Sequence, residues 1–211
     1  MKQYIAIAGN IGAGKSTLVE KICDELSWTP YYEPVTENPY LKDFYKDMNK
    51  WAYHSQLFFL SDRMVLHKEL QEQSGYVVQD RSIYEDAEIF ARDLFRQNLI
   101  SKRDFETYWR IYTIAVSLLQ PPDLLVYLKA SVPALEKRIS LRGREYESSI
   151  PKAYLDQLNH LYNEWINNYS HSPQLILNVD DYDILNNGKD LSLVIKKIKD
   201  QLQGGQKELF N

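Results

Sequence analysis

Cysteine is all but missing. Cys23 stands alone among 211 residues, so no internal disulfide can form, and its place on an apolar helix face suits a small buried hydrophobe. Long hydrophobic runs are lacking too: no stretch reaches the roughly 20 residues that a membrane-spanning helix needs, and no membrane partner is expected. Positive charge is not in excess. Twenty-five Lys and Arg face 29 Asp and Glu, for a net charge of −4, which argues against a nucleic-acid partner and makes any attraction for phosphate a local matter. Histidine is scarce, and His54, His67, His160 and His171 share no metal-ligand spacing; surface or capping positions are expected for them. Neither repeats, low-complexity segments nor linkers interrupt the chain, and no signal-peptide pattern follows Lys2. The expectation is one cytoplasmic domain over 1–203, its last helix ended by Gly204-Gly205, with a mobile tail over 204–211.

What is present is led by Gly9-Asn10-Ile11-Gly12-Ala13-Gly14-Lys15-Ser16, a glycine, four free positions and Gly-Lys-Ser. This is a phosphate-binding pattern, and it lies between a short apolar strand, Tyr4–Ala8, and a helix from Ser16 through Thr17 to Leu26. Strand, glycine turn and helix N-terminus bring backbone N–H groups and the helix dipole to one point, which suits an anion. Lys15 is then placed to reach the outer phosphates of ATP, and the Ser16 hydroxyl to ligate Mg²⁺.

Further strand candidates at Tyr31–Tyr32, Tyr76–Gln79, Leu124–Leu128 and Leu175–Val179 alternate with helical stretches, among them Phe105–Leu119, Tyr154–Tyr169 and a last helix carrying Leu191 to Leu202. That alternation predicts an α/β fold with a five-stranded parallel sheet flanked by helices. Ligands of such sheets sit beyond the carboxyl ends of strands. Glu33 after the second strand and Asp80-Arg81 after the third should therefore face the phosphate loop. Asp80 is expected at Mg²⁺ or its waters and Arg81 at the transferring phosphoryl group. Arg138 and Arg142, four apart on a helix, and Arg144 beyond Gly143 predict an arginine-rich lid over the phosphates. A carboxylate, Glu33, where the acceptor docks favours a neutral alcohol over a nucleoside monophosphate.

These segments together are similar to the deoxyribonucleoside kinases of the deoxycytidine, deoxyguanosine and deoxyadenosine type. The resemblance runs from Tyr4 to about Asp183: residues 9–17, Glu33-Pro34-Val35, Trp51 with Gln56, Arg63, Asp80-Arg81-Ser82-Ile83-Tyr84-Glu85-Asp86, and Arg142-Gly143-Arg144-Glu145-Tyr146-Glu147. It is strongest to the bacterial branch, which has Asp at the position of Asp80. It implies a P-loop NTPase fold and transfer of the γ-phosphoryl of Mg·ATP to the 5′-hydroxyl of a deoxynucleoside in nucleotide salvage. Glu33 and Asp80 match the two acids near that hydroxyl; either can be the base, and Glu33 is the choice here. Tyr45, eleven positions before Gln56, and Glu147 match the pair on the sugar 3′-hydroxyl. Gln56 matches the residue hydrogen-bonded to the base edge, Phe90 the ring stacked on it, and Asp180-Asp181-Tyr182 the loop around the donor's base. Arg63 and Asp86 match the charged pair that accompanies purine and cytosine recognition, so deoxyadenosine is expected first, with deoxyguanosine and deoxycytidine close behind. The resemblance also implies a homodimer through two long helices, and feedback inhibition by the deoxynucleoside triphosphate. The competing readings are a nucleoside-monophosphate kinase of the thymidylate kinase type and a P-loop nucleotide switch.

Overall fold

A computed structural model describes residues 3–32, 38–144, 150–184 and 187–208, with side chains described up to 204. Its contacts divide the chain into two compact units. The first comprises Met1–Tyr32, Ser74–Arg81 and Pro122–Asn211; the second comprises Glu33–Gln73 and Ser82–Pro121.

The first unit carries the whole sheet. Strands β1 (Gln3–Gly9), β2 (Thr29–Tyr31), β3 (Tyr76–Asp80), β4 (Leu124–Lys129) and β5 (Gln174–Asn178) are all parallel, in the order β2-β3-β1-β4-β5. The central β1 is buried along its full length, as its unbroken apolar run requires of a strand covered on both faces. β2 is a three-residue edge, where Pro30 costs no interior ladder bond. In register, Ile7 lies beside Asp80 and Gly9 beside Leu128, which fixes the carboxyl ends of β1, β3 and β4 at one level. Helices α1 (Lys15–Leu26), α7 (Val132–Arg142), α8 (Lys152–Asn168) and α9 (Gly188–Glu208) belong to this unit. Leu18 and Ile22 of α1, Leu135 of α7, Leu155 of α8 and Ile198 of α9 join Ile5, Ile7 and Val126 of the sheet in one core. Each such fully buried side chain contributes about 1.5–3 kcal/mol.

The second unit is helical: α2 (Leu41–Lys46), α3 (Met48–Glu72), α4 (Ile83–Glu85), a π-helical turn (Asp86–Ala91), α5 (Arg92–Arg96) and α6 (Lys102–Leu118). Phe44, Ala52, Leu94 and Ile100 form its centre, and Phe95 stacks on Phe105 with ring centroids 4.3 Å apart. Asp47 and Ser101 start α3 and α6 by accepting the Lys50 and Asp104 N–H groups. Among the described residues, no helix is long and apolar enough to cross a membrane.

Two expectations change. Gly204-Gly205 does not end α9, which continues to Glu208: core contacts of Val194, Ile195, Ile198 and Leu202 anchor the helix, and propagation then adds one bond per residue. His67 is neither exposed nor capping; it is buried on α3, where its Nε2–H donates to the Gln120 carbonyl at 2.9 Å. The π-helical turn has no counterpart in the sequence reading.

Three buried tyrosines of the second unit set an alkaline limit on its stability. Burial, then the Glu88 charge, pushes Tyr84 up to about 12. The same two causes raise Tyr112, which donates its hydroxyl to Glu88, and burial followed by the Asp86 charge holds Tyr108 well above the usual range. The unfolded chain releases these protons near pH 10 while the folded chain keeps them, so their contribution is complete below pH 10 and lost as pH climbs toward 12. Tyr84 alone is worth of order 2 kcal/mol over that window. Thermal unfolding between pH 9 and 11.5 should show this decline, and Tyr84→Phe should flatten it; a curve identical in the variant would contradict the assignment.

Candidate active site

The loop after β1 is shaped for anions. Gly12 has φ +81°, and a Cβ there would stand 2.8 Å from Ile139 Cγ1 and 3.0 Å from the Leu135 carbonyl, so only glycine fits. Gly14, at φ +94°, precedes α1 without any side-chain cap, which leaves the first-turn N–H groups of α1 to an incoming anion. Asn10 holds the loop in place. Its Nδ2 donates to the Leu155 carbonyl (2.9 Å) and to Asn159 Oδ1 (2.7 Å), its Oδ1 accepts the Ile11 N–H, and Asn159 in turn donates to Ala130. Ile11 and Ala13 pack on the core. Lys15, 8% exposed, folds over the loop and donates to the Gly9 and Asn10 carbonyls at 2.8 and 3.1 Å. A phosphate oxygen is a stronger acceptor for the same ammonium. Thr17 is half-buried in the first turn of α1.

Asp80 ends β3 and Arg81 follows it, beside this cradle. The Ser16 hydroxyl donates to Asp80 Oδ2 at 2.5 Å, which sets two hard oxygens together. Among the described residues no group of three or more His, Cys, Asp and Glu could hold a metal by itself. Two such oxygens suit Mg²⁺ taken up with phosphate oxygens and water, as that ion usually is. Arg81 has φ +65°, its N–H donates to the Ile7 carbonyl, and its Nη1 donates to the Tyr162 hydroxyl at 3.1 Å.

The lid residues separate. Arg138 is half-buried and anchored, donating from Nη2 to the Val179 carbonyl (2.8 Å) and from Nη1 to the Ala13 carbonyl (3.4 Å), whereas Arg142 and Arg144 are exposed. Their i,i+4 spacing gave Arg138 and Arg142 a common face; the turn on which Arg138 sits lies against the phosphate loop and fixes it. Gly143 ends α7 at φ +65°. The Asp180 carboxylate accepts the Ser131 N–H at the start of α7, Asp181 accepts from Asn178, and the Tyr182 hydroxyl accepts from Lys197.

Within the second unit, Arg63 Nε donates to Asp86 Oδ2 at 3.0 Å, with both side chains buried. Gln56, also buried, lies seven residues before Arg63 on α3 and so shares its helix face. Asp86 opens the π-helical turn that carries Phe90, half-buried four residues on. Such turns inside α-helices are frequent at functional sites. Tyr45 on α2 is half-buried, its ring edge-on to Phe44. Glu33 and Glu147 lie outside the described residues.

The sequence reading missed Asn159, Tyr162 and the role of Glu85. The Glu85 carboxylate accepts both the Ser82 N–H and the Ser82 hydroxyl and fixes the turn after Arg81. Its spacing, Ser-x-x-Glu, was a readable capping signature. Asn159 lies 149 residues from its partner Asn10, and no local pattern announces such a contact.

A family model described as deoxynucleoside kinase matches residues 5–203. The chain is 35% identical to the deoxyadenosine/deoxycytidine kinase of Bacillus subtilis over 97% of its own length and 95% of the relative's. It is 34% identical to the deoxyadenosine kinase of Lactobacillus acidophilus, covering 96% and 98%. The solved structure of deoxyadenosine kinase from M. mycoides with bound dATP superposes with a TM-score of 0.82 at 30% identity, covering 93% of this chain and all of that one. A phosphate cradle, a buried Arg–Asp pair and matches of this extent lead to one assignment: the chain belongs to the deoxynucleoside kinase family, with the P-loop NTPase fold of those enzymes.

Proposed function

We propose that this kinase transfers the γ-phosphoryl group of Mg·ATP to the 5′-hydroxyl of a purine deoxynucleoside, deoxyadenosine first, with deoxyguanosine and deoxycytidine accepted. The buried Arg63–Asp86 pair carries the reading. Asp86 accepts from an exocyclic amino group or ring N–H, and Arg63 donates to a ring nitrogen or carbonyl. Gln56 hydrogen-bonds the base edge, Phe90 stacks on the ring, and Tyr45 with Glu147 holds the 3′-hydroxyl. The names of the Bacillus and Lactobacillus relatives support the same choice.

Glu33 takes the proton of the 5′-hydroxyl as that oxygen bonds to the γ-phosphorus. The bond from phosphorus to the β-phosphate oxygen breaks and ADP leaves. Residues 9–17 grip the donor's phosphates through backbone N–H groups, Lys15 spans the outer ones, and Arg81 with Arg138, Arg142 and Arg144 stabilises charge on the equatorial oxygens. Asp180, Asp181 and Tyr182 border the donor's base. Ser16 and Asp80 would hold Mg²⁺, which would supply neutralisation of phosphate charge. The protein acts in the cytoplasm as one kinase domain, and the family model's match to residues 5–203 supports the single domain. Ile114 and Leu118 of α6, and Val65 of α3, are large exposed hydrophobics and support a homodimer through these two long helices. The deoxynucleoside triphosphate inhibits by feedback; the dATP held by the M. mycoides enzyme supports this.

Glu33→Gln keeps the shape of the side chain and removes the base. Its kcat should fall about a hundred- to ten-thousandfold with KM for deoxyadenosine little changed. Wild-type turnover in this variant would move the base to Asp80.

A further inference from the structure

We propose that Tyr162 is a positioning residue for Arg81, fixing its guanidinium for phosphoryl transfer through the hydrogen bond from Nη1 to the phenolic oxygen. This rests on the reading of Arg81 as the cation that meets the transferring group. Three described non-glycine residues have positive φ: Ser27, Arg81 and Asn98. Ser27 caps α1 and Asn98 closes the turn after α5, places where a left-handed residue is ordinary. Arg81 is different. It comes directly after the last residue of β3, is 5% exposed and carries a long charged side chain into a conformation that arginine rarely adopts. Strain of that kind persists where the surroundings over-determine it, and here two contacts do so. The Ile7 carbonyl takes the Arg81 N–H at 3.0 Å, which aims the side chain, and Tyr162 takes Nη1 at 3.1 Å, which stops its swing.

Tyr162 suits the task for two reasons. Its ring cannot drift: it is fully buried on α8, stacked on Tyr127 of β4 with centroids 5.7 Å apart and planes 9° apart, and met edge-on by Trp165. Its oxygen is neutral. A carboxylate at that place would orient the guanidinium and add an opposing charge; a phenol orients it without adding one.

The test is Tyr162→Phe, which deletes one oxygen and keeps the stack. We expect kcat to fall about tenfold, as displacement of a catalytic group by a fraction of an ångström does. KM for ATP and for deoxyadenosine should stay within about twofold of wild type, because ground-state contacts are untouched. In the Arg81→Ala background the same change should cost nothing further, because the hydroxyl acts through Arg81. Tyr162→His, which keeps a ring with an acceptor, should recover part of the lost kcat. Unfolding temperatures of all four proteins separate a packing defect from misplacement. Wild-type kcat in Tyr162→Phe, or a loss that adds in full to that of Arg81→Ala, overturns the inference while the role of Arg81 stands. Wild-type turnover in Arg81→Ala overturns that role, and the inference with it.

Discussion

Lys15→Met should lower kcat about a hundred- to thousandfold, the usual cost of removing one preorganised charge from a transition state. The ammonium now rests on the Gly9 and Asn10 carbonyls, within the loop that would enclose the phosphates. Moving to a phosphate oxygen exchanges two neutral acceptors for a charged one, so the gain grows as negative charge builds on the transferring group. Methionine fills a similar volume without charge, and Lys15 is flanked by a loop that Asn10 and Gly12 fix independently. The fold should therefore survive, with an unfolding temperature near that of wild type and weaker ATP binding by calorimetry. A variant retaining more than a tenth of the wild-type kcat would remove Lys15 from the chemistry.

Arg63→Met should cost about 3–5 kcal/mol of stability, because it strands the Asp86 carboxylate in a buried position without its cation. The informative comparison is Arg63→Met/Asp86→Leu, in which both charges go. Replacing a buried pair by apolar side chains of similar volume is often neutral or better, so the double variant should unfold near the wild-type temperature. Its activity should not return with its stability. The groups proposed at Arg63 and Asp86 for the base are gone while Gln56 remains, and kcat/KM for deoxyadenosine should fall at least about a hundredfold while thymidine loses little. Stability rescued together with purine preference would show that the pair is structural only. A single variant as stable as wild type would contradict the burial on which the argument depends.

How far these features were legible in advance depends on their range along the chain. The phosphate loop was plain because backbone geometry itself demands Gly12 and Gly14, and the parallel sheet because β1, β3, β4 and β5 are apolar runs bounded by turns. Asp80 and Arg81 were placed by a general rule about strand ends, and register with Ile7 put Asp80 where that rule expected it. Arg63 and Asp86, 23 residues apart, needed the family resemblance to be paired. The π-helical turn left no trace, since an i→i+5 bonding pattern has no side-chain signature comparable to helical periodicity. Arg138 was read as a mobile lid residue from its spacing, yet its contacts are to Ala13 and Val179, loops distant in sequence. Tyr162 lies in the helical stretch Tyr154–Tyr169, whose periodicity accounts for a buried ring and says nothing of its oxygen.

Product analysis tests transfer to an uncharged sugar alcohol. The enzyme with Mg·ATP should be offered deoxyadenosine, deoxyguanosine, deoxycytidine, thymidine and dAMP separately, with nucleotides resolved by chromatography and ADP counted against product. The account predicts one ADP per 5′-monophosphate formed, deoxyadenosine turned over fastest, thymidine poorly and dAMP not at all. ADP released with dAMP but not deoxyadenosine, or released with no acceptor present, would contradict it.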